Sequence, residues 1–232
     1  MGKAIAIITA RGGSKRIPKK NIKEFCGKPI IAYSIQAALD SGVFDEVMVS
    51  TDSEEIAGIA RQYGANVPFM RSKKTSGDFA TTAEVLSEVL DEYEKRGETF
   101  TYMCCIYPTA PFVTGEKLTI AMNDLKIQGA IMAMPVVAFS YPPQRGYIIE
   151  DGIMNMKWKE NFSKRSQDLE KMYHDAGQFY MFDVKEYIKR KGIIYEDIVP
   201  IVVDELEVQD IDNDTDWKLA EIKYKIMKNN LS

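Results

Sequence analysis

The sequence predicts an α/β protein built around an open, mostly parallel β-sheet, and three observations support this fold class. Short apolar runs of strand length alternate with segments of helical spacing from the first residues onward. A loop rich in Gly and Lys directly follows the first apolar run, and one segment, 139–177, breaks the alternation. Alternating strands and helices assemble into a parallel sheet with right-handed crossovers, so we expect a Rossmann-like architecture with one insertion.

The predicted elements follow in a regular order along the chain. Apolar runs predict buried strands at Ala4–Ile8, Glu46–Ser50, Asn66–Phe69, Tyr102–Ile106, Ala130–Val136, Gln178–Phe182 and Ile198–Val203. Apolar spacing and helix-start residues predict helices at Pro29–Leu39, from Asp52 onward, and at Thr82–Glu94, Glu116–Ile127 and Asp216–Lys228. Pro29 suits a first helical turn, and the acidic residues after Asp52 suit the positive end of a helix dipole.

The insertion is interpreted as a β-rich arm of one domain. Residues 139–177 are richer in proline, polar and aromatic residues than the rest, with Gly146 and Gly152 as turn positions. No internal repeat and no long linker divides the chain, so we expect residues 1–232 to form a single domain that carries this arm. Regular α/β structure is expected to resume after the arm.

Charge is distributed unevenly along the sequence. The formal net charge of -4 argues against a broad electrostatic surface for nucleic acid. One segment nevertheless concentrates seven cations against the single acid Glu24, namely Arg11, Lys15, Arg16, Lys19, Lys20, Lys23 and Lys28. A basic cluster in an acidic protein indicates a small, highly anionic ligand.

Cysteine usage and hydropathy predict a cytoplasmic protein. Cys26, Cys104 and Cys105 lack the spacing of a zinc site, and the adjacent pair lies inside an apolar run, which indicates reduced core residues. The apolar stretch near the N-terminus is too short for the core of a signal peptide. No apolar run reaches the ~20 residues that a membrane span needs.

The strongest functional signal is the loop after the first strand. It contains Ala10, Arg11, Gly12, Gly13, Ser14 and Lys15, and continues through Lys20 and Asn21. Ligands of open parallel sheets bind beyond the carboxyl ends of the strands, where glycines let backbone N–H groups approach a phosphate chain. The loop matches neither the Walker A pattern nor G-x-G-x-x-G. It therefore predicts a polyphosphate site of another type.

An Asp-x-Asp pair near the C-terminus predicts a magnesium site. On an extended segment Asp210 and Asp212 point to one face, and Mg²⁺ typically takes one or two carboxylates, with phosphate and water oxygens completing its shell. The same region also reads as the start of the last helix, capped by Asp214 or Thr215. Both interpretations can hold together.

Weaker signals leave alternatives open. Ser50-Thr51-Asp52 at the end of the second strand fits a helix cap as well as a nucleotide contact. The turn Tyr107-Pro108-Thr109-Ala110-Pro111 could shape a pocket at the rim of the sheet. His174 lies among polar neighbours in the arm, where a structural role and a substrate role are equally supported.

At these residues the sequence resembles the CMP-nonulosonate synthetases, the family that contains bacterial CMP-sialic acid synthetase. The matching stretches span nearly the whole chain in family order: Ile7–Ile22, Gly27–Leu39, Val47–Ala57, Arg165–Tyr180 and Val208–Glu221. The first stretch is diagnostic of the family, and the YHDAGQFY part of the fourth favours the pseudaminic branch over the sialic branch.

The resemblance implies a nucleotidyltransferase-type sheet and a role for each matching position. Arg11, Lys20 and Asn21, with Ser14 and Lys15, would bind the CTP phosphates and nearby groups, and Asp78, Ala80 and Thr81 lie in a stretch that borders the cytosine. Asp210 and Asp212 would bind Mg²⁺. The arm would exchange across a homodimer, so that Arg165, Gln167 and His174 face the sugar of the partner site, with Tyr107 in the same pocket.

The implied reaction is transfer of CMP from CTP to the anomeric hydroxyl of a nonulosonic acid, with release of pyrophosphate. Arg11, Lys20, Asp210 and Asp212 would carry it by positioning and charge neutralisation. Tyr107 replaces the glutamine of sialic acid synthetases, which favours pseudaminic acid as the substrate. Sialic, legionaminic or Kdo-type acids are alternatives. A CTP sensor without turnover is a further alternative, against which the Asp pair argues.

Overall fold

A computed structural model describes residues 2–229 of the chain. Its strands are β1 Ala4–Thr9, β2 Glu24–Phe25, β3 Lys28–Pro29, β4 Glu46–Ser50, β5 Tyr102–Ile106, β6 Met132–Ala138, β7 Tyr147–Glu150, β8 Ile153–Met156, β9 Tyr173–Asp175, β10 Phe179–Asp183 and β11 Ile198–Val202. Its helices are α1 Ile31–Ser41, α2 Glu54–Gln62, α3 Thr82–Glu94, α4 Gly115–Gln128, α5 Val184–Lys189 and α6 Asp214–Asn229. Among these helices none has the length and apolarity to cross a bilayer.

The central sheet is mixed, with the strand order β11-β6-β10-β5-β1-β4. β1 runs parallel to both β4 and β5, and β6 runs parallel to β11, so the predicted mostly parallel α/β sheet is confirmed. β10 runs antiparallel to β5 and to β6. The strand predicted at Gln178–Phe182 is present as β10, and regular α/β structure resumes there with α5 and β11, although β10 is not parallel to its neighbours.

Both faces of the sheet are covered, which explains the continuous apolar runs of its strands. In β1 the residues Ala4, Ala6 and Ile8 pack on the face covered by α1 and α4. Ile5 and Ile7 point to the opposite face, where they pack against Leu86 and Val89 of α3. Cys104 and Cys105 of β5 divide between the same two faces, and both are buried with free thiols.

Two predicted elements differ in the structure. Asn66–Phe69 does not form a strand: only Asn66 makes an isolated bridge to Met48 of β4, and Pro68 has no N–H to extend a ladder. Pro29 does not start α1 but pairs with Glu24 in the small β2–β3 hairpin, and the helix begins two residues later at Ile31.

Side-chain caps fix where the helices near the carboxyl edge of the sheet begin. Ser53 caps α2 through Ile56 N, and Thr81 forms a capping box with Glu84 at the start of α3. The cap of α6 is Asn213, whose Oδ1 accepts from the N–H groups of residues 215 and 216 at 2.9 and 3.0 Å. The expected caps Asp214 and Thr215 instead lie within the helix.

The arm consists of short pieces that share little core with the sheet. β7 and β8 form a hairpin around the turn Asp151-Gly152, in which both residues have positive φ, as a two-residue hairpin turn requires. Single 3₁₀ turns follow at Lys159–Asn161 and Ser166–Asp168, and β9 then pairs antiparallel with β6. The arm thus leaves and rejoins the sheet at one place, the end of β6.

Candidate functional site

A cavity of about 510 Å³ opens at the carboxyl edge of the sheet, between the loop after β1 and the start of α3. This is the edge where open α/β sheets hold their ligands. Its lining is mostly polar and basic at one side and partly aromatic at the other: Thr9, Arg11, Ser14, Lys15, Arg16, Lys20, Asn21, Arg71, Thr75, Gly77, Asp78, Ala80, Thr82, Val85, Tyr107, Pro108, Thr109 and Asp212.

Backbone contacts shape the loop after β1. Gly12 N donates to Asp52 Oδ1 at 2.7 Å, and Asn21 Nδ2 donates to Arg11 O at 2.9 Å. A Cβ on Gly12 would meet Ser53 Cβ at 3.2 Å, so a larger residue would push the loop off α2. Asp52 and Ser53 therefore support the loop, and the cap of α2 is Ser53 and not a residue of Ser50-Thr51-Asp52. A nucleotide contact of that segment stays a prediction.

The predicted loop residues divide into two groups. Arg11, Ser14, Lys15, Lys20 and Asn21 line the cavity. Ala10, Gly12 and Gly13 do not; Ala10 is buried and its N–H extends the β1–β4 ladder to Ser50 O at 3.0 Å. The loop thus directs cationic side chains to the cavity, while hydrogen bonds to Ser50 and Asp52 fix its backbone.

Lys20 connects this loop to the Asp-x-Asp segment. Its Nζ donates to Ile211 O at 2.6 Å and lies 4.0 Å from Asp212 Oδ1. Arg16 Nη1 approaches the other oxygen of Asp212 at 2.8 Å. Burial lowers the pKa of Lys20, although the charges of Asp212 and Asp210 act in the opposite direction. The ammonium group of Lys20 thereby joins the loop after β1 to the Asp-x-Asp segment.

The two aspartates of the Asp-x-Asp segment lie on either side of Ile211, which is buried. A shared face for their carboxylates stays a prediction. Asp212 lines the cavity, whereas Asp210 is more exposed and does not. Across residues 2–229 no cluster of three or more His, Cys, Asp or Glu side chains could hold a metal by itself. A two-carboxylate Mg²⁺ site completed by phosphate and water oxygens fits this donor set.

Asp78 neutralises two cations of the loop. Its Oδ1 accepts from Arg11 Nη1 at 2.7 Å and its Oδ2 from Lys15 Nζ at 2.5 Å. These hydrogen bonds, that from Lys15 first, lower the pKa of Asp78. Ala80 lines the cavity beside it, whereas Thr81 does not and caps α3 instead.

Glu88 of α3 holds the loop that carries Asp78. It accepts from Ser72 N at 2.7 Å and from the hydroxyl groups of Ser72 and Thr75. Burial acts to raise the pKa of Glu88, but the hydrogen bonds from Thr75 and Ser72 outweigh it and lower the pKa.

Arg71 is a cavity residue that the sequence analysis missed. It is buried, and its guanidinium donates to Ser50 Oγ at 3.0 Å and to Ser50 O at 2.6 Å. Burial lowers its pKa. A single arginine after a short apolar run carries no sequence signal, because its meaning depends on contact with Ser50 at the end of β4. Arg16, counted among the clustered cations, and Thr82 at the start of α3 also line the cavity, although neither was predicted as a site residue.

The aromatic side of the cavity is formed by the turn after β5. Tyr107 lines it together with Pro108 and Thr109, and Tyr107 N donates to Gln178 O at 2.9 Å. Burial raises the pKa of Tyr107, and the side-chain hydrogen bonds that it shares with Tyr180 and Thr82 act in the opposite direction. The predicted turn therefore does shape a pocket.

The predicted arm residues do not line this cavity within one chain. Arg165 forms a two-pronged ion pair with Asp168, at 2.8 and 2.9 Å. His174 packs on Phe139 with ring centroids 4.8 Å apart. Gln167 lines a separate groove of the arm. Their contact with a sugar in a partner subunit stays a prediction.

Comparison with known proteins identifies the family. The sequence model of the family described as Cytidylyltransferase matches residues 5–218. The chain belongs to this cytidylyltransferase family. A pseudaminic acid cytidylyltransferase of Campylobacter jejuni is 40% identical over 97% of this chain and 97% of its own length. A CMP-N,N'-diacetyllegionaminic acid synthase of Legionella pneumophila is 34% identical over 94% of both chains.

A solved structure supports the fold of this cytidylyltransferase. CMP:2-keto-3-deoxy-manno-octonic acid synthetase complexed with CTP superposes with a TM-score of 0.69, covering 98% of this chain and 99% of that one at 16% identity. At this identity the likeness establishes the architecture alone.

Proposed function

We propose that this cytidylyltransferase transfers CMP from CTP to the anomeric hydroxyl of a nonulosonic acid, releasing pyrophosphate, and that pseudaminic acid is its substrate. The observation that carries the proposal is the cavity in which the basic loop after β1 faces Asp212. Proteins of similar sequence that bear the pseudaminic acid and legionaminic acid names are 40% and 34% identical to this chain over nearly its whole length.

The basic side of the cavity suits the triphosphate. Arg11, Lys15 and Lys20 line one space, and Asn21 holds the loop through Arg11 O. Asp78 pairs with Arg11 and Lys15 in the ligand-free structure and would release them to the triphosphate. Charge-assisted bonds from these groups strengthen as negative charge collects on the departing pyrophosphate, so they favour the transition state over bound CTP. No covalent nucleophile is needed, because the sugar hydroxyl itself attacks the α-phosphate.

We propose Mg²⁺ as the cofactor, held by Asp210 and Asp212. When bound there, the ion would supply positive charge at the phosphates and acidify the attacking hydroxyl. Lys20 and Arg16 fix the position of the Asp212 carboxylate before any ligand arrives. Such preorganisation of charge is usually the largest contribution to this kind of catalysis.

The aromatic side of the cavity suits the sugar acid. Tyr107 offers one hydroxyl on a broad apolar ring, with Pro108 and Thr109 beside it. Pseudaminic acid ends in a methyl group and carries a second acylamino group, so its tail is less polar than that of sialic acid. An aromatic wall therefore matches it better than a glutamine would.

We further propose a homodimer in which the arm completes the sugar site of the partner. Apolar side chains of the β7–β8 hairpin are exposed, among them Ile149 and Ile153. A hairpin without a core of its own needs a surface to pack on. Arg165, Gln167 and His174 would then reach the cavity of the second subunit. The free cysteines of the described chain fit a reducing, cytoplasmic location.

The decisive experiment is pyrophosphate release with each of the four nucleoside triphosphates and a panel of sugar acids, with and without Mg²⁺. We expect turnover only when CTP, the metal and a nonulosonic acid are present together, with pseudaminic acid preferred over sialic, legionaminic and Kdo-type acids. Pyrophosphate release that is independent of the sugar acid would overturn the transferase proposal.

Subunit mixing tests the shared site. Asp210→Asn and Arg165→Ala are each expected to lack activity alone, and a mixed dimer should regain activity through its one intact composite site. A fully active monomer would contradict the dimer proposal.

A further inference from the structure

A chain of contacts links the return strand of the arm to the wall of the cavity. The ring of Tyr180 in β10 packs edge-on against the ring of Tyr107, with centroids 5.5 Å apart and an interplanar angle of 67°. The Tyr180 hydroxyl donates to Asp175 Oδ2 at 2.6 Å. Tyr107 lines the cavity, whereas Tyr180 and Asp175 do not. The Asp175 carboxylate therefore holds Tyr180, and Tyr180 contacts Tyr107 at the cavity wall.

Asp175 is itself held in place by the backbone. It pairs with Val136 of β6 at the end of β9, and Ala176 N donates to Pro135 O at 3.0 Å. Its second oxygen, Oδ1, accepts from Gly177 N at 2.7 Å. Gly177 has a φ of +64°, a left-handed conformation that turns the chain back toward the carboxylate. Both oxygens are thus engaged, and one of them orients Tyr180.

We propose that Asp175 is a positioning residue for the sugar acid: it fixes Tyr180, and through Tyr180 the ring of Tyr107 at the cavity wall. This inference rests on the proposed function, since it assigns the Tyr107 wall to the sugar and the basic loop to CTP. The backbone of Tyr107 is fixed separately, through its bond to Gln178. Loss of the carboxylate therefore frees the ring without displacing the turn.

Three variants and one control test the assignment. Asp175→Ala removes the acceptor, Tyr180→Phe removes the donor, and Asp175→Asn keeps one oxygen that accepts from Tyr180 but places its NH2 group toward Gly177 N. Glu94→Ala removes an exposed acid at the far end of α3 as the matched control. A hydrogen bond to a charged group contributes enough that its loss should lower kcat/KM for the sugar acid about tenfold in the first two variants. The KM for CTP should stay within about twofold, and Asp175→Asn should recover part of the activity.

A second readout does not depend on turnover. In NMR spectra of protein with ¹³Cζ-labelled tyrosine, the Tyr107 signal, assigned with Tyr107→Phe, should shift in Asp175→Ala and Tyr180→Phe. It should stay in place in the control, and it should move less in Asp175→Asn than in Asp175→Ala.

Several outcomes would overturn the proposal. These are wild-type kinetics in Tyr180→Phe, equal losses for CTP and sugar acid in Asp175→Ala together with a lowered Tm, or an unmoved Tyr107 signal. If the unmodified enzyme shows no sugar-dependent release of pyrophosphate, the proposed function fails, and the NMR signal alone then decides whether Asp175 positions Tyr107.

Discussion

Replacing Lys20 by methionine tests the junction between the phosphate loop and the Asp-x-Asp segment. Methionine keeps nearly the length of the side chain and removes only the charge. The lost contacts are the hydrogen bond to Ile211 O at 2.6 Å and the attraction to Asp212 Oδ1 at 4.0 Å. The Lys20 side chain is 22% exposed and that of Asp212 40%, so solvent screens part of this attraction.

The magnitude follows from the charge-assisted hydrogen bond that Lys20 would donate to phosphate. In the ligand-free protein, two unit charges 4.0 Å apart attract by at most about 4 kcal/mol near a protein surface, screening reduces that figure, and desolvation of Lys20 opposes it. In the transition state Lys20 would also donate to the departing pyrophosphate. A hydrogen bond to a charged group contributes about 1.5–3 kcal/mol, so we expect a loss of about 2–3 kcal/mol in transition-state stabilisation, or about 30- to 150-fold in kcat/KM for CTP.

The stability of the folded protein should not fall with the activity. Burial lowers the pKa of Lys20, which means that the fold disfavours its charged form in the absence of ligand. Removing the charge relieves this cost, so Lys20→Met is expected to keep the Tm of the parent protein or raise it. A loss of activity without a loss of Tm is typical of a residue retained for function.

Pyrophosphate release at saturating sugar acid, with CTP varied, measures the effect. Lys19→Met is the matched control, because Lys19 belongs to the same loop but pairs with Glu55 at 2.7 Å on the surface and does not line the cavity. An exposed pair of this kind contributes about 0–1 kcal/mol. Unchanged kinetics in Lys20→Met, or an equal loss in Lys19→Met, would refute the role of Lys20.

Three further predictions concern the metal, the sugar and the loop around Asp78. Asp210→Asn and Asp212→Asn should each lower turnover by about 10²–10³ while CTP binding changes less, measured by pyrophosphate release and calorimetry; near-normal rates at saturating Mg²⁺ would contradict this. Tyr107→Gln should narrow the preference for pseudaminic over N-acetylneuraminic acid in kcat/KM, and a parent enzyme that prefers the latter would overturn the reasoning. The pKa of Glu88 in the folded protein lies below its ordinary value of 4.5. The support that Glu88 gives the loop is therefore complete above pH 4.5 and is lost as the pH falls through the lower, folded pKa. The amide protection factor at residue 72 should therefore drop on acidification, and Glu88→Gln should lower it already at neutral pH; protection that is independent of both changes would exclude this support.

Much of the fold could be predicted because its signals are local. Glu46–Ser50, Thr82–Glu94 and Tyr102–Ile106 were predicted with the bounds that the structure gives, since buried strands and an amphipathic helix with a Thr cap are encoded in consecutive residues. The direction of β10 is not local: it depends on where a long insertion rejoins the sheet. Asn66–Phe69 has strand-like composition, but Pro68 ends the pairing after one bridge.

The residues of the site also differ in whether their roles are encoded locally or arise from tertiary contacts. Arg11 and Lys20 carried a sequence signal because charges and glycines cluster in one loop, and Asp212 because it belongs to an Asp-x-Asp pair. All three line the cavity. Arg71 carried none, because its importance arises from contact with Ser50 on another strand. Asp52 supports the loop after β1 through a tertiary contact with Gly12 N, whereas Thr81 caps α3 through a local contact with Glu84; neither lines the cavity.

The reversed direction of β10 has a consequence for how this scaffold can change. A strand that runs against its neighbours begins at the edge where they end, so the segment entering β10 arrives already beside the cavity. The arm is inserted between β6 and β10, two strands that are hydrogen-bonded neighbours. Its length and composition can therefore drift over evolution without altering the order of the sheet or the nucleotide half. Exchanging residues 139–177 between relatives should accordingly shift the acceptor preference in part, with the remainder carried by Tyr107 outside the exchanged segment.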